Sequence, residues 1–426
     1  MRRVVETLLA LAAAGLAVHA ALALGPRRSR PNIVVILIDT LRSDHLPVYG
    51  YPRETAPFLS ELAEHGAVFD HAYSTSGWTS PATASLFTSL YPFQHGVVHA
   101  QANRLDRLPT GVKTLAEVLQ AAGYSTYGVS GNVLVSEETG FSRGFRRFAH
   151  AAGGPAELLN KTLKKWRDEI LGSRPYFVYV HYMDPHEPYM AAGPWFDEFM
   201  GDGLKTLANP TWVAAYDSEI RLVDSKIEGL FRSFGWGEDT LVVVTADHGE
   251  EFRDHGRGGH AHSLYGELLD VPLLVYWPGR VGPGRLGAPV SLIDVLPTLR
   301  EVAGLPKDPE DQGSSLLPLL RSPSRAPRPR SLYAYLLPLQ QDEAWRATIR
   351  DDWKLIFTES GRRMLFDLGH DPHEKDNLIG RDPGVAERLG EDYQSFEARA
   401  DKYSAERDLR PSAETLRQLE LLGYVR

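Results

Sequence analysis

Not one of the 426 residues is a cysteine, so disulfides and thiolate metal sites are excluded. Positive charge is also in deficit. Lysine and arginine total 46 against 55 aspartates and glutamates, for a formal net charge of −9. That balance argues against a nucleic-acid partner, for which a basic face is needed. Internal repeats and long low-complexity tracts are absent. Long apolar runs are nearly so: the longest, residues 8–24, falls slightly short of the ~20 residues that span a bilayer. It follows Arg2 and Arg3, contains the small-x-small sequence Ala21-Leu22-Ala23, and precedes Arg27, Arg28 and Arg30. Residues 1–30 therefore read as a signal peptide or an N-terminal membrane anchor. The expectation is an exported protein, periplasmic or extracellular, cleaved or held to the membrane by residues 1–24.

What is present is an alternation of strands and helices. Residues 33–38, 176–182 and 241–246 are continuous β-branched and aromatic runs, as expected of strands buried on both faces of a parallel sheet. Each ends in residue types that ligate metals: Asp39, then Asp184-Pro185-His186, then Asp247-His248-Gly249. Ligands of open α/β sheets collect at such carboxyl ends. Helical patterns occupy 55–65, 110–122 and 212–234, and the acids of the last (Asp217, Glu219, Asp224) are expected on a solvated face. The spacing predicts an α/β fold with helices on both sides of the sheet. Residues 304–331, rich in Pro, Ser and Arg, read as a connector. Short strands at 346–350, 353–357 and 364–368 and a helix at 413–422 then suggest a smaller α+β unit. The expected division is 31–325 and 326–426.

Residues 76–88 read as a loop that opens into a helix. Ser80 suits the N-cap, Pro81 the first helical position, and 82–91 runs without a breaker. Thr79 would then sit just before a helix amino end, where free N–H groups and the dipole favour an anion. Asp39, Thr79, Asp247 and His248 together offer two carboxylates, a hydroxyl and an imidazole. That set suits zinc, manganese or magnesium, while calcium would want more oxygens. A hydroxyl on such a cation can attack a phosphorus or sulfur centre.

These motifs resemble the sulfatase branch of the alkaline phosphatase superfamily, from about Pro31 to the C-terminus. The matching stretches include Pro31-Asn32-Ile33-Val34 leading to Asp39, Thr79-Ser80-Pro81 through Pro92, Thr245-Ala246-Asp247-His248-Gly249-Glu250, and Leu365-Phe366-Asp367-Leu368. The resemblance implies an alkaline-phosphatase-like three-layer α/β/α core with a large, mostly parallel mixed sheet and a small C-terminal α+β subdomain. It implies Thr79 as covalent nucleophile and Asp39, Asp247, His248 and Thr79 as ligands of a divalent cation (zinc, manganese, magnesium or calcium). It puts His186 against the substrate anion and His260 on the leaving side, with His262 as the substitute. Asp184, His186 and His260 are candidates for a second cation.

Departures from the family pattern are specific. Sulfatases carry at position 79 a cysteine or serine that is oxidised to formylglycine, followed four residues later by arginine; here positions 79 and 83 are both threonine. Thr40 replaces a second aspartate. The lysine and histidine that usually follow the Gly123-Tyr124-Ser125-Thr126 segment are missing, which leaves Asn132, with Asp184, as candidates for substrate contact. Threonine at the nucleophile position resembles the nucleotide pyrophosphatases and the phosphoethanolamine and lipoteichoic-acid transferases. A threonyl ester cannot collapse to an aldehyde and needs a second in-line attack, which suits phosphoryl groups. The expected activity is hydrolysis or transfer of a phosphate or sulfate ester of a small molecule, lipid or glycan. The alternatives are a sulfuric ester hydrolase using threonine without formylglycine and an inactive anion-binding protein.

Overall fold

In the computed structural model, residues 30–426 are described except 102–103, 191, 202–209, 324–328, 340–342, 404, 423 and 425–426. The expected export or anchor segment, residues 1–24, lies outside the described residues. Among the described residues no helix is long and apolar enough to cross a membrane.

The framework is an eight-stranded sheet. Its strands in chain order are β1 (Asn32–Ile38), β2 (Ala67–Phe69), β3 (Ser125–Ser130), β4 (Arg147–His150), β5 (Tyr176–Tyr182), β6 (Thr240–Thr245), β7 (Leu273–Tyr276) and β8 (Gly284–Leu286). They lie in the order β8-β2-β7-β6-β1-β5-β3-β4. The five from β6 to β4 run parallel, while β7 is antiparallel to both of its neighbours. Every residue of β1, β5 and β6 is buried, and alternate side chains point to opposite faces, so both faces are covered. Helices α1 (Pro57–Glu64), α4 (Ala156–Lys165) and α5 (Pro210–Phe234) pack together, as do α2 (Thr79–Thr88), α3 (Leu115–Ala121) and α6 (Val295–Val302). Each fully buried Val, Ile or Leu of the central strands contributes roughly 1.5–3 kcal/mol, which makes the sheet a rigid platform for its loops.

Three expectations need correction. Helix α2 starts at Thr79, with Trp78 as N-cap and no side-chain cap, and stops at Ser89 in the left-handed region (φ 57°). Thr79 is thus inside the first turn, and Pro81 is tolerated two residues later because first-turn N–H groups have no intrahelical acceptor. The acids of α5 are not solvated: Asp217, Glu219 and Asp224 are all buried. Asp217 binds His45, Tyr51 and Arg53, and Asp224 accepts the Phe58 and Leu59 N–H groups at the start of α1. Part of the 304–331 connector is anchored, since the Gln312 and Gly313 N–H groups bond the carbonyl and hydroxyl of Ser89.

A four-stranded antiparallel meander follows: β9 (Leu332–Leu336), β10 (Trp345–Arg350), β11 (Trp353–Thr358) and β12 (Arg363–Asp367), packed on α7 (Pro383–Arg399). The chain then turns back. Glu406–Leu409 pairs antiparallel with Arg104–Arg107, and α8 (Ala413–Leu421), capped by Ser412, carries the last described residues toward the sheet's carboxyl edge.

Candidate active site

Strand register builds the site. Leu37 of β1 is level with His181 of β5 and with Thr245 of β6, so the next residues of all three strands leave the sheet together. The Asp39 N–H donates to Tyr182 O (2.9 Å) and the Thr40 N–H to Asp247 Oδ1 (3.3 Å). Thr40 has φ 55°, costly for a β-branched residue. Tyr216 helps hold that turn by donating to Thr40 O (2.7 Å) and accepting the Arg42 N–H (2.9 Å). Across the site Gly249 permits close packing, because a Cβ there would stand 2.0 Å from Glu267 O.

Thr79 Oγ1 lies 3.2 Å from His248 Nε2. That nitrogen is 3.6 Å from both Asp39 Oδ1 and Asp247 Oδ2, and all four side chains are fully buried. Among the described residues neither of those oxygens has a hydrogen-bond partner. A buried carboxylate oxygen left unpaired is costly, and two aimed at one imidazole nitrogen call for a cation between them. One donor atom each from Asp39, Asp247 and His248 lie within 4.8 Å of one another, so the residues fit a divalent ion. His248 is oriented to serve as a ligand. Its Nδ1–H donates to Gly249 O (2.8 Å), leaving Nε2 with a free lone pair.

Electrostatics agree. Burial opposes ionisation of Asp39, yet His181, His186 and His248 hold its carboxyl below the usual range. Burial and the charge of Asp39 push Asp247 well up, as expected of two acids that share one space. Burial, helped by His260, lowers His248 to about 3, so it is neutral. Burial would lower His260 as well, but Glu250 Oε1, 3.0 Å from its Nδ1, outweighs that and raises it.

Thr79, Asp39, Asp247 and His248 are brought together, and His186 and His260 stand beside them. The His260 ring centroid is 4.7 Å from that of His248 and 4.8 Å from that of His186. Asn132 reaches Asp39 Oδ2 (2.6 Å) and Thr79 Oγ1 (3.4 Å). His262 is instead committed to Glu251 (2.7 Å), and Asp184 accepts the Ala156 N–H (3.0 Å). The second cation site expected from Asp184, His186 and His260 is not assembled. Among the described residues only Asp39, Asp247 and His248 converge closely enough for an ion.

Three neighbours were not anticipated. His181 Nε2 lies 3.1 Å from Asp39 Oδ2, and with Asn132 it occupies that oxygen and turns Oδ1 toward His248. Glu250 partners His260. The Tyr424 hydroxyl stands 3.3 Å from Thr79 Oγ1 and 3.1 Å from His186 Nε2. His181 carried a signal, a lone histidine in an apolar strand at its carboxyl end; Tyr424 carried none.

A hydroxyl in a helix's first turn, beside a carboxylate–imidazole group at the carboxyl edge of a mostly parallel sheet, defines an ester hydrolase of the alkaline phosphatase type. A sulfatase family profile matches residues 31–305, and a profile described as N-sulphoglucosamine sulphohydrolase, C-terminal, matches 260–392. The chain belongs to the sulfatase family. It is 29% identical over 456 aligned residues to arylsulfatase A of Homo sapiens, covering 86% of each protein. It is 24% identical to a choline-sulfatase of Rhizobium meliloti, covering 84% of each. Its fold is similar to that of a phosphonate monoester hydrolase of Agrobacterium radiobacter (TM-score 0.69, 19% identity, 87% of this chain and 96% of the other).

Proposed function

We propose that the chain hydrolyses sulfate monoesters of a small molecule or glycan, with Thr79 as the attacking group. The observation that supports this is the meeting of Thr79 Oγ1 with His248 Nε2 and two carboxylate oxygens that have no partner among the described residues, in a chain of the sulfatase family. Asp39, Asp247, His248 and Thr79 would hold the divalent cation. When bound, the ion supplies positive charge that eases ionisation of the hydroxyl and attracts the sulfate. The catalytic portion would be 31–325 and the smaller one 326–426, exported by way of residues 1–30.

The chain's own groups supply a proton route. His186 Nδ1 faces Glu187 O (2.5 Å), which can only accept, so Nδ1 carries the proton and Nε2 accepts from Tyr424. Tyr424 in turn accepts from Thr79. As Thr79 Oγ attacks sulfur, its proton passes through Tyr424 to His186. The ester S–O bond breaks, and His260, its basicity raised by Glu250, protonates the departing oxygen. Water then attacks the threonyl sulfate and gives a proton to His260. The S–Oγ bond breaks, sulfate leaves, and His186 returns the proton to Thr79.

A phosphate ester is the second reading, favoured by the threonine itself, since a two-step displacement suits phosphoryl transfer. Nitrophenyl sulfate and nitrophenyl phosphate, assayed side by side with added divalent ions, separate the two. Faster turnover of the sulfate is expected; turnover of the phosphate alone would overturn the proposal, and turnover of neither would leave an anion-binding protein.

A further inference from the structure

A cavity of about 370 Å³ lies beside the reaction centre, between the turn 184–188 and helix α5. His186 belongs to both, so the cavity adjoins the place where the ester's alcohol portion would leave. Its wall is chemically one-sided. Asp184, Glu187 and Glu219 line it, with Met190 and Leu222 among its apolar contributors, and among the described lining residues none is lysine or arginine.

Glu219 is the telling member. It is only 5% exposed, yet the helix places it on the cavity side. Its Oε1 accepts the Met190 N–H (2.9 Å), while its buried Oε2 has no hydrogen-bond partner among the described residues. An acceptor in that position without a donor carries a desolvation penalty that a ligand's donor would relieve. Burial, with Asp184 adding to it against the Met190 bond, raises the Glu219 carboxyl to about 8. Burial raises Asp184 and Glu187 as well. Lys226 acts on Asp184 and His260 on Glu187, but neither outweighs burial.

Two occupants fit poorly. A bare metal ion needs oxygens that converge, and among the described residues no such cluster includes these acids. A glycan bearing further sulfates or carboxylates would bring negative charge toward three carboxyl groups. An organic cation fits both the spread of the acids and the apolar remainder of the wall.

We propose that this cavity receives an ammonium group carried by the alcohol portion of the substrate, with Glu219 as its principal partner and Asp184 and Glu187 as supporting charge. The assignment rests on the sulfate-ester function above for its relation to turnover, but binding can be tested without it. Calorimetry on the full chain would compare tyramine with N-acetyltyramine, its uncharged counterpart. Tyramine is expected to bind about tenfold tighter or more, as suits a charge-assisted hydrogen bond in a buried site. Glu219→Gln is expected to erase that ratio, and Asp184→Asn to reduce it, with thermal midpoints confirming that each variant is folded. Equal affinities, no binding of tyramine, or a ratio untouched by both substitutions would overturn the proposal. The O-sulfates of the same two phenols form the second arm, with kcat/KM again favouring the amine. A binding preference for tyramine with neither sulfate hydrolysed would sink the sulfatase activity and leave the cavity's assignment standing. Hydrolysis of both at equal kcat/KM would do the reverse.

Discussion

Thr79 Oγ1 and His248 Nε2 are 3.2 Å apart although 169 residues separate them. The first is presented by the opening turn of α2 and the second by the loop after β6. Substituting Thr79 tests what that meeting is for. Thr79→Ala is expected to lower kcat/KM for the preferred ester by about a thousandfold or more, because the attacking oxygen is gone. Thr79→Ser, which keeps the oxygen, should retain most of the activity. Steady-state rates with a chromogenic ester decide it, and full activity in the alanine variant would remove Thr79 from the chemistry.

Chelation is the second test. Stripping divalent ions should abolish turnover, and adding them back should restore it. An ion held at a hundredfold over its Kd would also stabilise the chain by about 2.7 kcal/mol, visible as a higher thermal midpoint. Mass spectrometry should count one equivalent per chain, falling in Asp247→Asn. Two equivalents would contradict the single convergent group.

Tyr424→Phe removes one hydroxyl and keeps a ring packed near Trp78, His186 and His260. If the phenol passes protons between Thr79 and His186, kcat should fall about 10- to 100-fold with KM little changed. An unaltered kcat would take Tyr424 out of the route.

Glu219 makes stability depend on pH. Burial lifts its carboxyl to about 8 in the folded chain from an ordinary value near 4.5. The folded state therefore binds the extra proton across that window, and stability declines as pH rises through it. Glu219→Gln should flatten this decline and melt at a higher temperature than the parent at pH 8.5. Parallel melting curves from pH 5 to 9 would show otherwise.

Lys354 on β11 is fully buried against Glu374, itself 1% exposed. Removing one partner strands the other, so Lys354→Met should cost about 3–5 kcal/mol in denaturant unfolding. Pairing it with Glu374→Gln, which keeps an acceptor for the Gly266 N–H, should recover much of the loss. A double variant no more stable than the single one would refute the ion-pair account.

What could be read in advance follows from where the forces act. Strands β1, β5 and β6 were legible to within a residue or two because buried parallel strands must be apolar on both faces. Asp39, Asp247 and His248 were legible because they end such runs. His181 was hidden inside one, where a histidine looks like an interruption rather than a partner for Asp39. On α5, Asp217 and Asp224 fall seven residues apart, on the same stripe as Ile220 and Ile227. That periodicity places them inward, but their compensating partners at His45, Arg53 and the start of α1 lie more than 150 positions away. No local pattern announces a partner so remote. The start of α2 was misjudged by two residues because neither Ser80 nor any other side chain caps it.

Tyr424 meets Thr79 from 345 positions further along the chain, beyond the strand that pairs with Arg104–Arg107. During synthesis, then, every residue between the two must emerge before that phenol can arrive. A nascent chain can gather Asp39, Asp247 and His248 well beforehand, but the Thr79 hydroxyl stays without its phenol neighbour until Tyr424 has been made. The stretch that carries Tyr424 thereby sets when the surroundings of Thr79 are complete.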